Sequence, residues 1–224
     1  MKVLLVTATR MEVQLLLNEC SYKGAPSDNL KTYSYQNVTF DLLITGLGTT
    51  FTTYHLTNTL VNSKYMLAVN LGLAGSLSED FHVGDVVNVV DEEFADLGIE
   101  MESEFLTLFD SGFMQSDEFP FENRVLKADR IPYVSHLPRV KGITSNISHG
   151  RKASISEMKS RYTAQVESME GAAFFYVCRW MGIPCMQIRS VSNLVAPRDV
   201  AQWDIPLALD NLKNTMLQLL AEIS

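Results

Sequence analysis

Two carboxylates and one carboxamide stand beside apolar runs in a pattern that suits a small polar ligand. Glu12 follows the apolar run that opens the chain, Glu170 precedes a helical stretch that is otherwise nearly all apolar, and Asn193 follows Gln187-Ile188-Arg189-Ser190-Val191-Ser192. Ligands collect outside the strand ends of α/β sheets. Glu170 is the most telling of the three, because a carboxylate is costly to bury unless it accepts hydrogen bonds or meets positive charge. A helix N-terminus offsets part of that cost through its dipole and unpaired N–H groups. Taken alone, each residue also has a plainer reading: Glu12 as a solvent-facing acid in a first helical turn, Glu170 as a helix-start acid, Asn193 as a turn residue after a strand.

Other chemistries lack their residues. Gly46-Leu47-Gly48 lies between a strand and a helix, where a dinucleotide fingerprint begins, but Phe51 stands where a third glycine is needed and no acid follows at the ribose spacing. His55, His82, His136 and His149 show no metal-ligand spacing, and no Ser lies in a nucleophile elbow. Cys20, Cys178 and Cys185 are odd in number, far apart and set among apolar residues, which speaks against a disulfide framework. The expectation is chemistry without a metal or organic cofactor.

The elements that must position these residues follow from hydropathy. Apolar runs at 2–7, 38–45, 65–70, 85–90 and 185–191 read as buried strands, with helical periodicity between several of them. That alternation predicts a central sheet flanked by helices. Val13, Leu16, Leu17 and Cys20 form one helical stripe, and Leu209, Leu212, Met216, Leu219 and Ile223 another. Residues 172–181, with Phe174, Phe175, Val177 and Trp180, read as a core helix, and 71–76 (Leu-Gly-Leu-Ala-Gly-Ser) as either an ordinary turn or a place where backbone approaches a ligand. Residues 100–140 are the least regular part, and their phenylalanines at 105, 109, 113, 119 and 121 suit satellite core or a subunit contact better than a lid.

The 224 residues suit one α/β domain over 1–224. A net charge of −8 disfavours nucleic acid as a partner, and Arg151, Lys152, Lys159 and Arg161 read as a solvated helix face. No apolar stretch approaches the roughly 20 residues that span a bilayer, and the opening run is too brief for a signal peptide. A cytoplasmic protein without a membrane partner is expected.

In order along the chain, several segments resemble the purine nucleoside phosphorylase/nucleosidase superfamily, and within it the futalosine hydrolase group. They are Thr7-Ala8-Thr9-Arg10-Met11-Glu12, Gly72-Leu73-Ala74-Gly75-Ser76-Leu77, Val83-Gly84-Asp85-Val86-Val87 with Glu92-Glu93-Phe94-Ala95-Asp96-Leu97-Gly98, Val166 to Ala173, and Arg189 to Asn193 ahead of Arg198 and Trp203. The resemblance implies a nucleoside phosphorylase-like three-layer α/β fold, its mixed central sheet partly curled into a barrel and flanked by helices. It also implies a homo-oligomer of two or more subunits and a purine nucleoside, futalosine, as substrate on the route to menaquinone.

By that resemblance Glu12 and Asn193 are catalytic, and Gly75, Ser168, Met169, Glu170 and Arg198 bind substrate. Glu12 would activate water, Glu170 would accept from the ribose hydroxyls, and Met169 would line the sugar pocket. Related methylthioadenosine nucleosidases carry Asp where Asn193 stands. An amide has one acceptor oxygen and two donor hydrogens, which fits the 6-oxo group and protonated N7 of hypoxanthine. Bacterial hexameric phosphorylases hold phosphate with an Arg and a Ser at positions matching Asn70 and Leu73, so hydrolysis is expected over phosphorolysis, with Arg10 as a remaining candidate anion ligand. Methylthioadenosine nucleosidase, purine nucleoside phosphorylase and a non-catalytic nucleoside-binding protein are the alternatives.

Overall fold

A computed structural model describes residues 2–197 and 203–224. Twelve strands are formed among them: β1 (Val3–Thr7), β2 (Ser21–Ser27), β3 (Leu30–Tyr35), β4 (Val38–Ile44), β5 (Leu67–Ser76), β6 (Val86–Phe94), β7 (Gly98–Glu100), β8 (Phe105–Thr107), β9 (Leu126–Lys127), β10 (Arg139–Thr144), β11 (Val166–Ser168) and β12 (Cys185–Leu194). A 3₁₀ turn at Met11–Val13 leads into α1 (Gln14–Asn18), followed by α2 (Thr49–Asn62), α3 (Lys152–Arg161), α4 (Gly171–Met181) and α5 (Ile205–Ile223).

β1 shows why the sheet must be covered on both faces. All five of its residues are buried, and successive side chains point to opposite faces. Val3 and Leu5 pack with Leu212, Met216 and Ile188 beneath α5, whereas Leu4 and Val6 pack with Leu56, Phe174 and Phe175 beneath α2 and α4. The result is a mixed sheet between two helical layers.

The sheet also closes on itself. Its order runs β11-β10-β6-β12-β5-β1-β4-β3-β2, and β11 pairs in addition with β5, so β11, β10, β6, β12 and β5 form a ring of five strands. The expected partly barrelled three-layer fold is the one present.

Several local expectations change. Residues 71–76 are not a turn but the second half of β5, paired with β12 along their whole length and with β11 at Gly75 and Ser76. Their glycines serve close approach: a Cβ at Gly72 would lie 2.5 Å from Glu12 Oε1 and 2.6 Å from Arg189 Nη1. β12 runs on to Leu194, so Asn193 lies within the strand, just past a register shift after Val191. Trp180 is not core but 55% exposed, because it sits in the last turn of α4, where its ring packs edge-on against Phe119 at the surface. Of the phenylalanines in the irregular stretch, Phe121 is buried and Phe109 packs on it, while Phe113 and Phe119 are exposed. Arg151, Lys152 and Lys159 are exposed as expected, but Arg161 turns inward, pairing with Glu157 and lying over the Phe105 ring. The three cysteines are free thiols, and no described helix is long and apolar enough to cross a membrane.

α4 begins where space is shortest. Thr144 Oγ1 accepts from Ala172 N–H at 2.7 Å and Ser168 Oγ accepts from Gly171 N–H at 3.3 Å. A Cβ at Gly171 would lie 2.1 Å from Glu92 Oε1 and 2.5 Å from Gln187 Oε1, both buried. Gly171→Ala is therefore expected to cost about 1–3 kcal/mol, as overpacking does, which urea denaturation will report as a lower midpoint. A midpoint equal to wild type would show that the buried pair can move aside freely.

Candidate active site

Six of the seven expected site residues line one cavity of about 310 Å³: Glu12, Gly75, Ser168, Met169, Glu170 and Asn193. The seventh, Arg198, lies outside the described residues. The register explains the convergence. Gly75 on β5 is paired with Glu167 of β11 on one side and with Asn193 of β12 on the other, so three neighbouring strands present one level to the cavity.

Glu12 is held by its own loop. Its Oε2 accepts from Thr7 Oγ1 at 3.0 Å, from Thr9 N–H at 2.9 Å and from Thr9 Oγ1 at 3.1 Å, while Oε1 accepts from Leu73 N–H at 3.1 Å. Four donors on an acid at the cavity wall fix a carboxylate in place, and the plain surface reading of Glu12 does not apply.

Glu170 is the N-cap residue of α4, yet its side chain does not cap the helix. It reaches instead to Gly48, whose N–H donates to Oε1 at 3.0 Å, and to Arg189, whose Nη2 lies 3.5 Å from Oε2. Gly48 belongs to the glycine pair that resembled half a dinucleotide fingerprint. Its φ of 92° turns the chain so that this N–H meets the acid. Burial pushes the Glu170 carboxyl above its ordinary value against the opposing pull of Arg189.

Behind Glu170 lies a buried polar chain. Arg189 is 1% exposed; its Nη2 donates to Asn70 Oδ1 and its Nη1 to the Leu73 carbonyl at 3.3 Å. Gln187, two residues earlier, donates to Glu92 Oε1 at 2.6 Å, and Thr144 donates to Glu92 Oε2 at 2.9 Å. Burial raises the Glu92 carboxyl to about 7, although the bonds from Gln187 and Thr144 and the charge on Arg189 pull it down.

Asn193 Oδ1 accepts from Ser192 Oγ at 2.9 Å, and its Nδ2 donates to the Leu194 carbonyl at 3.0 Å. One amide hydrogen and one oxygen lone pair remain for a ligand. His149, Glu167, Ser192 and Trp203 also line the cavity. His149 and Glu167 had no role in the sequence reading, although Glu167 stands three residues before Glu170 and His149 follows the end of a strand. Arg10 points elsewhere: it is exposed, and its Nε donates to Gln14 at 3.0 Å.

A family model described as the phosphorylase superfamily matches residues 2–223. This chain belongs to the phosphorylase superfamily. A futalosine hydrolase of Thermus thermophilus is 27% identical over 235 residues, covering 98% of this chain and 95% of that protein. The structure of futalosine hydrolase from Helicobacter pylori superposes with a TM-score of 0.79 at 17% identity, covering 99% of this chain and 97% of that one. A 5′-methylthioadenosine/S-adenosylhomocysteine nucleosidase from Colwellia psychrerythraea, solved with adenine, gives a TM-score of 0.81 at 16% identity over 99% and 95% of the two chains. These two likenesses establish a shared fold.

In this superfamily member Asn70 and Leu73, the positions matched to phosphate ligands, are otherwise occupied. Asn70 is buried against Arg189, and Leu73 offers its backbone N–H to Glu12 and its carbonyl to Arg189.

The raised Glu92 carboxyl has a consequence for stability. Its folded value, about 7, lies above the ordinary 4.5, so the folded state binds the extra proton between those values. That contribution is complete below pH ~4.5 and is lost as pH rises through about 7. A shift of this size corresponds to about 3 kcal/mol. Glu92→Gln, which cannot ionise, should lose less stability than wild type between pH 5 and 8.5 in paired denaturation series. Parallel pH dependences would mean that Glu92 stays ionised throughout.

Proposed function

We infer that the chain is a purine nucleosidase, one domain over 1–224, which hydrolyses futalosine to hypoxanthine and the dehypoxanthinyl sugar in menaquinone biosynthesis. Relatedness to three futalosine hydrolases, over 98%, 68% and 81% of the chain, supports the substrate. The observation that carries hydrolysis is the charge of the cavity: Glu12, Glu167 and Glu170 line it with His149, and no Lys or Arg is among its described lining residues. Phosphate needs several cations or N–H donors, and the three carboxylates outnumber the one imidazole, His149, among the described lining residues. Water carries no such requirement.

Cleaving the N-glycosidic bond builds positive charge on the ribose and negative charge on the base, and a catalyst must answer both. Glu12 orients a water molecule; as the C1′–N9 bond breaks with its electron pair passing to the purine, the water oxygen bonds to C1′ and its proton passes to Glu12. The purine leaves protonated at N7, the proton coming from solvent. Glu170 accepts from the ribose hydroxyls beside the Met169 and Ser168 wall. Gly75 leaves room for Asn193, whose Nδ2 would lie 3.4 Å from a Cβ there, and Asn193 meets the 6-oxo and N7 edge. Arg198 is proposed as a substrate ligand from the resemblance alone.

Cytoplasmic location is supported by the three free thiols, which suit a reducing compartment. Self-association is supported by an apolar groove beside α2, lined by exposed Tyr54 and Val61 together with Leu97, Leu108, Phe121 and Tyr176. Light scattering should give the mass of at least two chains; a monomer at micromolar concentration would remove that part of the reading.

The test of function is base release from futalosine, inosine and methylthioadenosine, each with and without phosphate. Hypoxanthine from futalosine, independent of phosphate, is expected. Adenine release would move the chain to the methylthioadenosine nucleosidases, and strict phosphate dependence to the phosphorylases. Glu12→Gln should reduce turnover by at least about 10²-fold while calorimetry still shows futalosine binding. Turnover near wild type would remove Glu12 as the base.

A further inference from the structure

We propose that His149, clamped by Glu167, is a second reader of the departing purine: it faces Asn193 across Gly75 and donates from Nε2 to purine N3 as the glycosidic bond breaks. The proposal rests on the nucleosidase reading above and deepens it.

The clamp is unusual in gripping one residue twice. Glu167 Oε2 pairs with His149 Nδ1, and Glu167 Oε1 accepts from the His149 backbone N–H at 3.1 Å. The ring therefore cannot turn without breaking its bond to a carboxylate that its own backbone also holds. The tautomer is fixed as well, since a carboxylate only accepts, so Nδ1 carries a proton. Nε2 has no partner among the described residues. The two side chains are only 10% and 6% exposed, yet both residues line the cavity. A histidine needed merely to neutralise a buried acid does not have to present its far nitrogen to a ligand space.

Register sets the span. Glu167 and Asn193 are both partners of Gly75, on opposite sides of β5. Paired residues point to the same face of a sheet, and two strand spacings separate their backbones by ~9–10 Å. A flat heterocycle hydrogen-bonded at opposite edges, each bond ~2.9 Å long, fits such a gap. Between them Gly75 has no side chain, and a Cβ there would lie 2.7 Å from Val195 Cγ2 and 3.4 Å from Asn193 Nδ2. If Asn193 takes the 6-oxo and N7 edge, the edge facing His149 carries N3, an acceptor on which negative charge accumulates as N9 departs.

The charge state favours donation. Glu167 raises the His149 imidazolium above its ordinary value, against partial desolvation, and Asp96 and Glu157 add to the effect. Across the cavity the acids Glu12 and Glu170 are the other charged groups among the described lining residues. A raised imidazolium holds its proton to higher pH than an ordinary histidine and loses it as pH rises further, so the rate should fall on the alkaline side.

The experiment compares wild type, His149→Phe, His149→Gln and Glu167→Gln on futalosine and on its 3-deaza analogue. His149→Phe should lower kcat by about 10²-fold, the order found on deleting one donor to developing charge, with KM changed far less. His149→Gln, a neutral donor, should recover part of the rate and lose the alkaline limb. Glu167→Gln should move that limb to lower pH.

The 3-deaza analogue, lacking the N3 acceptor, should penalise wild type strongly and His149→Phe little, so that the two losses do not multiply. Multiplying losses, or an alkaline limb unmoved in Glu167→Gln, would overturn the proposal. Calorimetry with hypoxanthine and 3-deazahypoxanthine keeps the question open to an answer if turnover is lost: wild type should prefer hypoxanthine, and His149→Phe should not. Absence of futalosine cleavage by wild type would sink the function instead, while the base-binding comparison still judges His149.

Discussion

The arrangement depends on the burial of one positive charge. Arg189 sits at 1% exposure in the middle of β12, where an unpaired guanidinium would cost several kcal/mol. It is held there by Glu170, Asn70, Gln187 and the Leu73 carbonyl. Those same partners explain features that otherwise look separate. Gly72 is small because Arg189 and Glu12 close over it. Glu170 stays available at the cavity because its charge is balanced from behind. The Nε of Arg189, which has no partner among the described residues, shows that the guanidinium is aimed at the acid and the β5 carbonyl at the expense of its own full satisfaction.

The second constraint is closure of the five-stranded ring. An open sheet would leave β11 at an edge, with Glu167 and Glu170 far from β5. Pairing of β11 with Ser76 and Gly75 brings those acids to the level of Asn193 and sets Glu12 nearby through the Leu73 N–H. Chemistry carried by residues 12, 75, 167, 170 and 193 thus shares one cavity. The glycines of β5 are what a barrel wall requires where side chains from neighbouring strands converge on it.

Much of this was legible in the sequence, for reasons that differ by residue. Runs of buried aliphatics located the strands, because a sheet covered on both faces needs continuous apolar sequence. Glu170 stood out because its charge contradicts the apolar helix after it. The helix terminus does not account for it: the stabilising groups are Arg189 and the Gly48 N–H, distant in sequence by 19 and 122 positions. Such pairings carry no local signal. β5 was cut short at residue 70 because Gly-rich sequence reads as turn, whereas here the absence of side chains lets polar groups approach a paired strand. His149 carries no signal in the sequence, because it has no metal-ligand spacing and its partner Glu167 is joined to it only through the return of α3.

An enclosed set of acids is a poor place for an anionic nucleophile and a good one for a developing cation. In the proposed reaction, carboxylates at Glu12 and Glu170 would stabilise a ribose that gains positive charge, through charge and through hydrogen bonds that strengthen as the hydroxyls become more acidic. The same field resists release of an anionic base, so the cavity needs a donor where that base departs. Asn193, neutral, with an oxygen already taken by Ser192, supplies hydrogen bonds but no charge. His149 is the one residue among the described cavity lining that can carry positive charge, and it is held by Glu167, which pairs with Gly75 on the side opposite Asn193. In the proposed binding mode, acid on the sugar side and imidazole on the base side would together give the gradient along which a glycosidic bond polarises.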